Sequence, residues 1–150
     1  MPIPFARPQV PAALRPPDAS ARREVPLVLV ADDHDDSRDI ARLVLESAGY
    51  RVIEARTGLE VLTLVVAFHP SIILLDVVMP GLDGWAIARR LRADPLTCGT
   101  TIIALTALSG AADREESLAA GCDEVLTKPI HPRVLLAVFH DMTAATCRSR

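Results

Sequence analysis

The run Ile72-Ile73-Leu74-Leu75, closed by Asp76 and followed by Val77-Val78-Met79-Pro80-Gly81, constrains this chain more than any other stretch. An uninterrupted apolar segment between Pro70 and a Pro-Gly turn predicts a strand buried on both faces, the environment of a parallel sheet. Asp76 then falls at the carboxyl end of a central strand. Ligands of open α/β sheets bind along that edge, because strand ends and helix starts leave a crevice there.

Four further candidate strands support the same reading. Leu27-Val28-Leu29-Val30-Ala31 predicts a first buried strand ending on Asp32-Asp33. A helix follows, which Asp35 or Asp36 can cap, with Ile40, Leu43 and Val44 at helical spacing and Gly49 as its stop. Residues 50–55 alternate like an edge strand, and Thr57 can cap a helix carrying Leu59, Leu62, Val65 and Val66. Beyond Asp76, Asp83 is placed as the N-cap of a helix holding Trp85, Ile87, Ala88 and Leu91, which Asp94-Pro95 ends. Thr101-Ile102-Ile103-Ala104-Leu105 is a fourth buried strand that reaches Thr106-Ala107, and Ser109 can cap the helix from about Gly110 to Ala120. A short fifth strand over 123–127 leads to Lys128-Pro129, and Pro132 opens a last helix with Val134, Leu135, Val138, Phe139 and Met142 on one stripe. Five strands alternating with five helices imply one α/β domain, a parallel sheet with right-handed crossovers and helices on both faces.

Composition limits the function. With half of its 150 residues hydrophobic, the chain can bury one core, which we place at 26–144. Seven of the twelve prolines fall in the first 26 residues among Ala and Arg, so 1–25 reads as a disordered proline/arginine-rich arm and 145–150 as a flexible tail. Residues 25–147 carry 10 basic and 17 acidic side chains, a net −7 hidden by the formal −3 of the whole chain. Such a domain argues against direct nucleic-acid binding, which needs clustered Lys and Arg, and suits a divalent cation. Cys98, Cys122 and Cys147 lack paired spacing and read as reduced thiols. Without an apolar leader or spanning run, the expectation is a cytoplasmic protein with no membrane partner.

Four strand ends thus deliver Asp32-Asp33, Asp76, Thr106 and Lys128 to one edge. Three clustered carboxylates repel unless a cation lies among them, and oxygen ligands with room for water and phosphate suit Mg²⁺. A metal-bridged carboxylate beside a lysine and a hydroxyl has the parts of a phosphoryl-transfer site. Asp76, alone at its strand end, is the candidate nucleophile for an acyl phosphate; Lys128 would pair with the phosphoryl oxygens and Thr106 would donate to one.

These residues resemble the receiver domain of two-component response regulators, of the chemotaxis-receiver kind, across residues 26 to 144. The resemblance rests on Val28-Leu29-Val30-Ala31-Asp32-Asp33, Asp76-Val77-Val78-Met79-Pro80-Gly81-Leu82-Asp83-Gly84, Leu105-Thr106-Ala107 and Lys128-Pro129. It implies a flavodoxin-like doubly wound sheet in the order 2-1-3-4-5, with ligands bound at the switch point of that order. It implies that Asp76 takes a phosphoryl group from a histidine kinase or histidine phosphotransfer protein. Asp33, and Asp32 largely through water, would hold Mg²⁺ with Asp76 and the Val78 carbonyl. It further implies a cis Lys128-Pro129 bond and a small Ala107 that leaves the phosphoryl group accessible. Kinase docking is expected near Arg38 to Arg42 and at the loop after the last strand. With no output domain after Thr143, the expectation is a stand-alone receiver acting on a partner in trans, with a homodimer left open, and not a turnover enzyme.

One position departs from the family pattern. Receivers usually carry Tyr or Phe three residues before the lysine, and here Val125 stands there. A valine cannot swing inward and outward as that ring does, which keeps alive an alternative, a docking or adaptor module that works without phosphate. Val78 and Leu108, at positions that tune phosphoryl lifetime in the family, are both apolar, so a long lifetime is expected. A Mg²⁺-dependent phosphatase would want a second acid at Val78 and is disfavoured. His34, His69, His131 and His140 read as solvated or packing histidines, with His34 a conceivable kinase contact, and Arg89, Arg90 and Arg92 as a solvated basic face.

Overall fold

The computed structural model describes residues 25–79, 83–107 and 110–148. The arm over 1–24, the Pro80-Gly81 turn, the Ser109 cap, Leu108 and the last two residues lie outside the described residues. Strands β1 (Leu27–Ala31), β2 (Arg51–Ala55), β3 (Ile72–Asp76), β4 (Thr101–Thr106) and β5 (Glu124–Thr127) alternate with helices α1 (Asp35–Ser47), α2 (Gly58–Phe68), α3 (Gly84–Ala93), α4 (Ala111–Ala119) and α5 (Pro132–Arg148). All pairings are parallel and the order is β2-β1-β3-β4-β5, so the chain is the expected doubly wound single domain. No described helix is long and apolar enough to cross a membrane.

The central strands are continuous apolar runs because both of their faces are covered. Successive side chains point to opposite faces, so Leu29, Ala31, Ile73, Leu75, Ile102 and Ala104 meet Val61 and Val65 of α2 and Ile87 and Leu91 of α3. Val28, Val30, Ile72, Leu74, Ile103 and Leu105 meet Ala41 and Leu45 of α1 and Leu135 and Phe139 of α5. Each fully buried Leu or Ile stabilises the fold by about 1.5–3 kcal/mol relative to exposure. β2 is the edge strand its alternation predicts, with Ile53 and Ala55 buried and Glu54 exposed. Register places Asp76 opposite Leu105 and Thr106 opposite Thr127, which lines up the strand ends that carry the candidate site residues.

The helix ends follow local chemistry with some corrections. Thr57 Oγ1 accepts from the Glu60 N–H and Asp83 Oδ1 from the Ala86 N–H, as their cap positions predict. α1 differs: His34 is its N-cap residue and makes no side-chain cap bond, while Asp35 and Asp36 sit inside the first turn. Their charges still suit the positive end of the helix dipole. α5 continues through Arg148, so residues 145–148, read from sequence as tail, are helical. Gly49 and Gly121 take φ of 95° and 111° after α1 and α4, conformations that L side chains rarely adopt.

Arg92 is the clearest departure from a solvated basic face. Its guanidinium donates to the carbonyls of Gly121 (2.8 Å), Cys98 (2.7 Å) and Thr100, and to Asp123 Oδ2 (2.7 Å). Asp123 Oδ2 also accepts the Ile102 N–H at 2.8 Å. One side chain therefore ties the end of α3 to the entrances of β4 and β5. Of the same run, Arg89 pairs across to Glu116 on α4 at 3.0 Å, in an exposed setting that contributes little.

Candidate functional site

The carboxyl edge of β1, β3, β4 and β5 brings together Asp32, Asp33, Asp76, Thr106 and Lys128. Their placement is set by backbone pairing. The Val77 N–H donates to Leu105 O at 3.0 Å and the Lys128 N–H to Thr106 O at 2.7 Å, extending the ladder past the strand ends. The Lys128-Pro129 bond is cis, as the resemblance implies. On the far side Gly84 N donates to Val77 O at 2.9 Å, and a Cβ at Gly84 would stand 2.5 Å from Val77 Cα and 2.7 Å from Asp76 O. Only a residue without a Cβ lets α3 start that close to the end of β3.

Asp32 and Asp76 are 1% and 3% exposed. Lys128 Nζ lies 2.9 Å from Asp32 Oδ2 and 3.0 Å from Asp76 Oδ2, so one ammonium bridges the two buried acids. Asp32 Oδ1 accepts the His34 N–H at 2.9 Å and Asp76 Oδ1 the Val78 N–H at 3.0 Å. Burial pushes the Asp76 carboxyl above its ordinary value and the charge of Asp32 adds to this; the Val78 N–H and Lys128 oppose the shift without cancelling it. Burial also works against the Lys128 charge, yet hydrogen bonds and charges from Asp32 and Asp76 outweigh it and hold Lys128 above the usual lysine value.

The donor set fits a hard cation. Asp33 Oδ1 is a buried atom without a hydrogen bond, and Asp32 Oδ2 is buried with the Lys128 ammonium as its one close partner. Asp33 Oδ1 faces His34 Nδ1 at 3.1 Å. One ligand atom from each of Asp32, Asp33, His34 and Asp76 lies within 4.8 Å of the others, with oxygen the dominant donor. Three carboxylates meeting in this way gain from a divalent ion that offsets their repulsion.

Around this centre, Thr106 is 1% exposed, Val78 60% exposed, and Ala107 and Pro129 lie at the surface. Val125 is half-buried and packs against the cluster of core residues under α2 and α3. It borders a cavity lined also by Leu105, Leu126, Ile130 and Leu135.

Arg38 is the residue that sequence reasoning misplaced. Expected at a docking surface, it is 4% exposed and turned inward, donating to Asp32 O at 3.0 Å and pairing with Asp35 and, at 3.3 Å, Glu54. Burial disfavours its charge, but the two carboxylates prevail and raise its pKa. Its spacing carried a signal, because Arg38, Ala41 and Leu45 recur as i, i+3, i+7 on the buried face of α1. Of the proposed docking stretch, Asp39 and Ile40 remain on the surface.

A doubly wound sheet with an acid cluster and a lysine at its switch-point edge defines the class: the chain belongs to the response regulator receiver domain family, whose model matches residues 28–140. Within it, the chain is 38% identical over 110 residues to the phosphate regulon transcriptional regulatory protein PhoB of Pseudomonas aeruginosa, covering 73% of this chain and 48% of that protein. The receiver domain of the Francisella response regulator 1452 superposes with a TM-score of 0.76 at 31% identity, covering 81% of this chain and 98% of that one. The chemotaxis response regulator CheY4 of Vibrio cholerae gives 0.75 at 29% identity, covering 79% and 98%. The chain spans about half the length of the curated regulators it matches first.

Proposed function

We propose that this receiver accepts a phosphoryl group on Asp76 from a phosphohistidine of a histidine kinase or phosphotransfer protein, and thereby switches a surface read by an output partner. The observation that carries the reading is Lys128 Nζ held within 3.0 Å of both Asp76 and Asp32 at the mouth of β3. An Asp76 carboxylate oxygen attacks phosphorus, the P–N bond breaks, and its electron pair leaves with the donor imidazole nitrogen, giving an acyl phosphate. Asp32, Asp33, Asp76 and the Val78 carbonyl would hold Mg²⁺, which when bound neutralises charge on the acids and the phosphoryl oxygens. Lys128 then releases Asp32 and turns to a phosphoryl oxygen, and Thr106 donates to another. Ala107 leaves the approach open. The transfer is stoichiometric on the chain's own residue, so this step is not enzymatic turnover.

The test is intact-mass measurement after incubation with acetyl phosphate and Mg²⁺, for wild type and Asp76→Asn. A gain of one phosphoryl group that is lost in the variant and removed by hydroxylamine supports the reading. No gain in the wild type, with Mg²⁺ binding demonstrated, overturns it. That second result favours a docking module independent of phosphate, the reading that Val125 in place of an aromatic switch residue supports.

A further inference from the structure

The acid pair is followed directly by His34, and its ring turns back over the carboxylates. The His34 N–H bond to Asp32 Oδ1 holds the loop so that Nδ1 stands 3.1 Å from Asp33 Oδ1 and 3.5 Å from Asp32 Oδ1. One ring nitrogen of His34 and one oxygen each from Asp32, Asp33 and Asp76 are mutually within 4.8 Å. With metal–ligand bonds of about 2.1 Å, neighbouring ligands of an octahedral ion stand about 3.0 Å apart and opposite ones about 4.2 Å. The two His34 separations are therefore close to those of adjacent ligands on one ion, and no separation in the cluster exceeds that of opposite ligands by more than about half an ångström. The ring is 70% exposed, so it can adjust by that much without disturbing the core.

We propose that His34 Nδ1 is a further protein ligand of the cation centre, and that it moves the preference of the site from Mg²⁺ toward a first-row transition ion such as Mn²⁺ or Co²⁺. The inference rests on the reading of Asp32, Asp33 and Asp76 as cation ligands. Mg²⁺ is a hard ion that favours oxygen and keeps its waters, so an imidazole adds little to its binding. Imidazole suits transition ions, whose affinities rise from Mn²⁺ through Co²⁺ along the Irving–Williams order. A neutral nitrogen ligand also adds coordination without adding a fourth negative charge to a crowded site. Metal supply would then tune how readily this receiver is charged with phosphate.

Calorimetric titration of the full chain with Mg²⁺, Mn²⁺ and Co²⁺, for wild type, His34→Ala, His34→Gln and Asp33→Asn, tests this alongside pulsed electron paramagnetic resonance of the Mn²⁺ form. The expected result is ¹⁴N modulation from a directly bound imidazole in the wild type, absent from both His34 variants. Co²⁺ affinity should fall at least tenfold in those variants, with Mg²⁺ affinity unchanged within twofold. His34→Gln keeps a polar side chain of similar reach, so loss in both variants assigns the effect to the ring nitrogen. Wild-type Mn²⁺ without ¹⁴N modulation, or with modulation that survives His34→Ala, overturns the proposal. So does an equal loss for Mg²⁺ and Co²⁺. If the ions bind and Asp33→Asn weakens them while the His34 variants do not, the His34 proposal fails and the carboxylate centre stands. If no ion binds the wild type, both fail.

Discussion

Replacing Gly84 by Ala places one methyl group against backbone from which it cannot rotate away. The new Cβ would lie 2.5 Å from Val77 Cα, 2.7 Å from Asp76 O and 3.2 Å from Val77 N. Ordinary contact begins near 3.4 Å, so the start of α3 and the end of β3 must separate by about 1 Å. Overpacking of this kind costs about 1–3 kcal/mol. Helix propensity and the smaller entropy of an unfolded chain with Ala return up to about 1 kcal/mol. The net expectation is a loss of about 1–2 kcal/mol, read as a lower urea midpoint at unchanged m value. Because the displaced atoms include the Asp76 carbonyl, the carboxylate moves with them, and a shift of about 1 Å can slow a positioned reaction by about 100-fold. Phosphorylation by acetyl phosphate should therefore slow at least tenfold in protein that remains folded. Gly99→Ala is the control, since a Cβ there meets nothing within 4 Å, and it should change stability by less than about 0.5 kcal/mol. Wild-type midpoint and phosphorylation rate in Gly84→Ala would refute the argument that this glycine sets the position of Asp76.

Three other perturbations have defined outcomes. Burial pushes the Cys122 thiol up to about 11 from 9.0, so the stability gained by burying the neutral thiol is present below pH 9 and lost as pH rises through 11. Wild type should lose about 2 kcal/mol more than Cys122→Ala between pH 8 and pH 11 in urea titrations, and parallel curves would contradict this. Arg38→Met strands the buried Asp32 carbonyl and removes the partner of Asp35 and Glu54, which should cost about 1–3 kcal/mol by denaturation, and Arg38→Lys should recover little because it lacks the planar fork. Phe139→Ala removes a fully buried ring set edge-on to Tyr50 at 5.7 Å, a loss of about 3–5 kcal/mol; less than 1 kcal/mol would mean that α5 collapses into the space.

The fold is legible because strand and site information coincide in this sequence. Val28–Ala31, Ile72–Leu75 and Ile102–Leu105 are apolar on both faces, and each run ends on the polar residue that the sheet edge needs. Thr57 and Asp83 are legible as caps because their side chains act within three residues. Arg38 and Arg92 are not, since a charge type gives no sign of whether its partners are water or carbonyls from distant strands. Arg92 is held by residues 98, 100, 121 and 123, which only the folded chain assembles. His34 reads as a loop residue for the same reason: the Asp32 bond that turns its ring toward the acids is local, but the convergence with Asp76 is tertiary.

The site depends more on backbone than on its charged side chains for placement. Asp76 is held by the Val78 N–H, by pairing of Val77 with Leu105, and by Gly84 against its peptide. Lys128 is held by pairing with Thr106 before its ammonium reaches either acid. Removing a charge at this edge should therefore change what the site binds while leaving the remaining carboxylates where they are. Output obeys a different rule. Val125, on the last strand, pairs with Ala104 of β4 and is only half-buried, so in the proposed reading a signal from Thr106 would meet a short, stiff side chain instead of a ring that can exchange positions. With no ring at Val125 to exchange positions, a switch through β5 would act by moving the strand or α4. The single buried residue of α4, Ser117, whose hydroxyl accepts the Trp85 indole N–H at 2.8 Å, marks where that helix is latched to α3. A helix held by so little buried surface is the element that can shift at least cost.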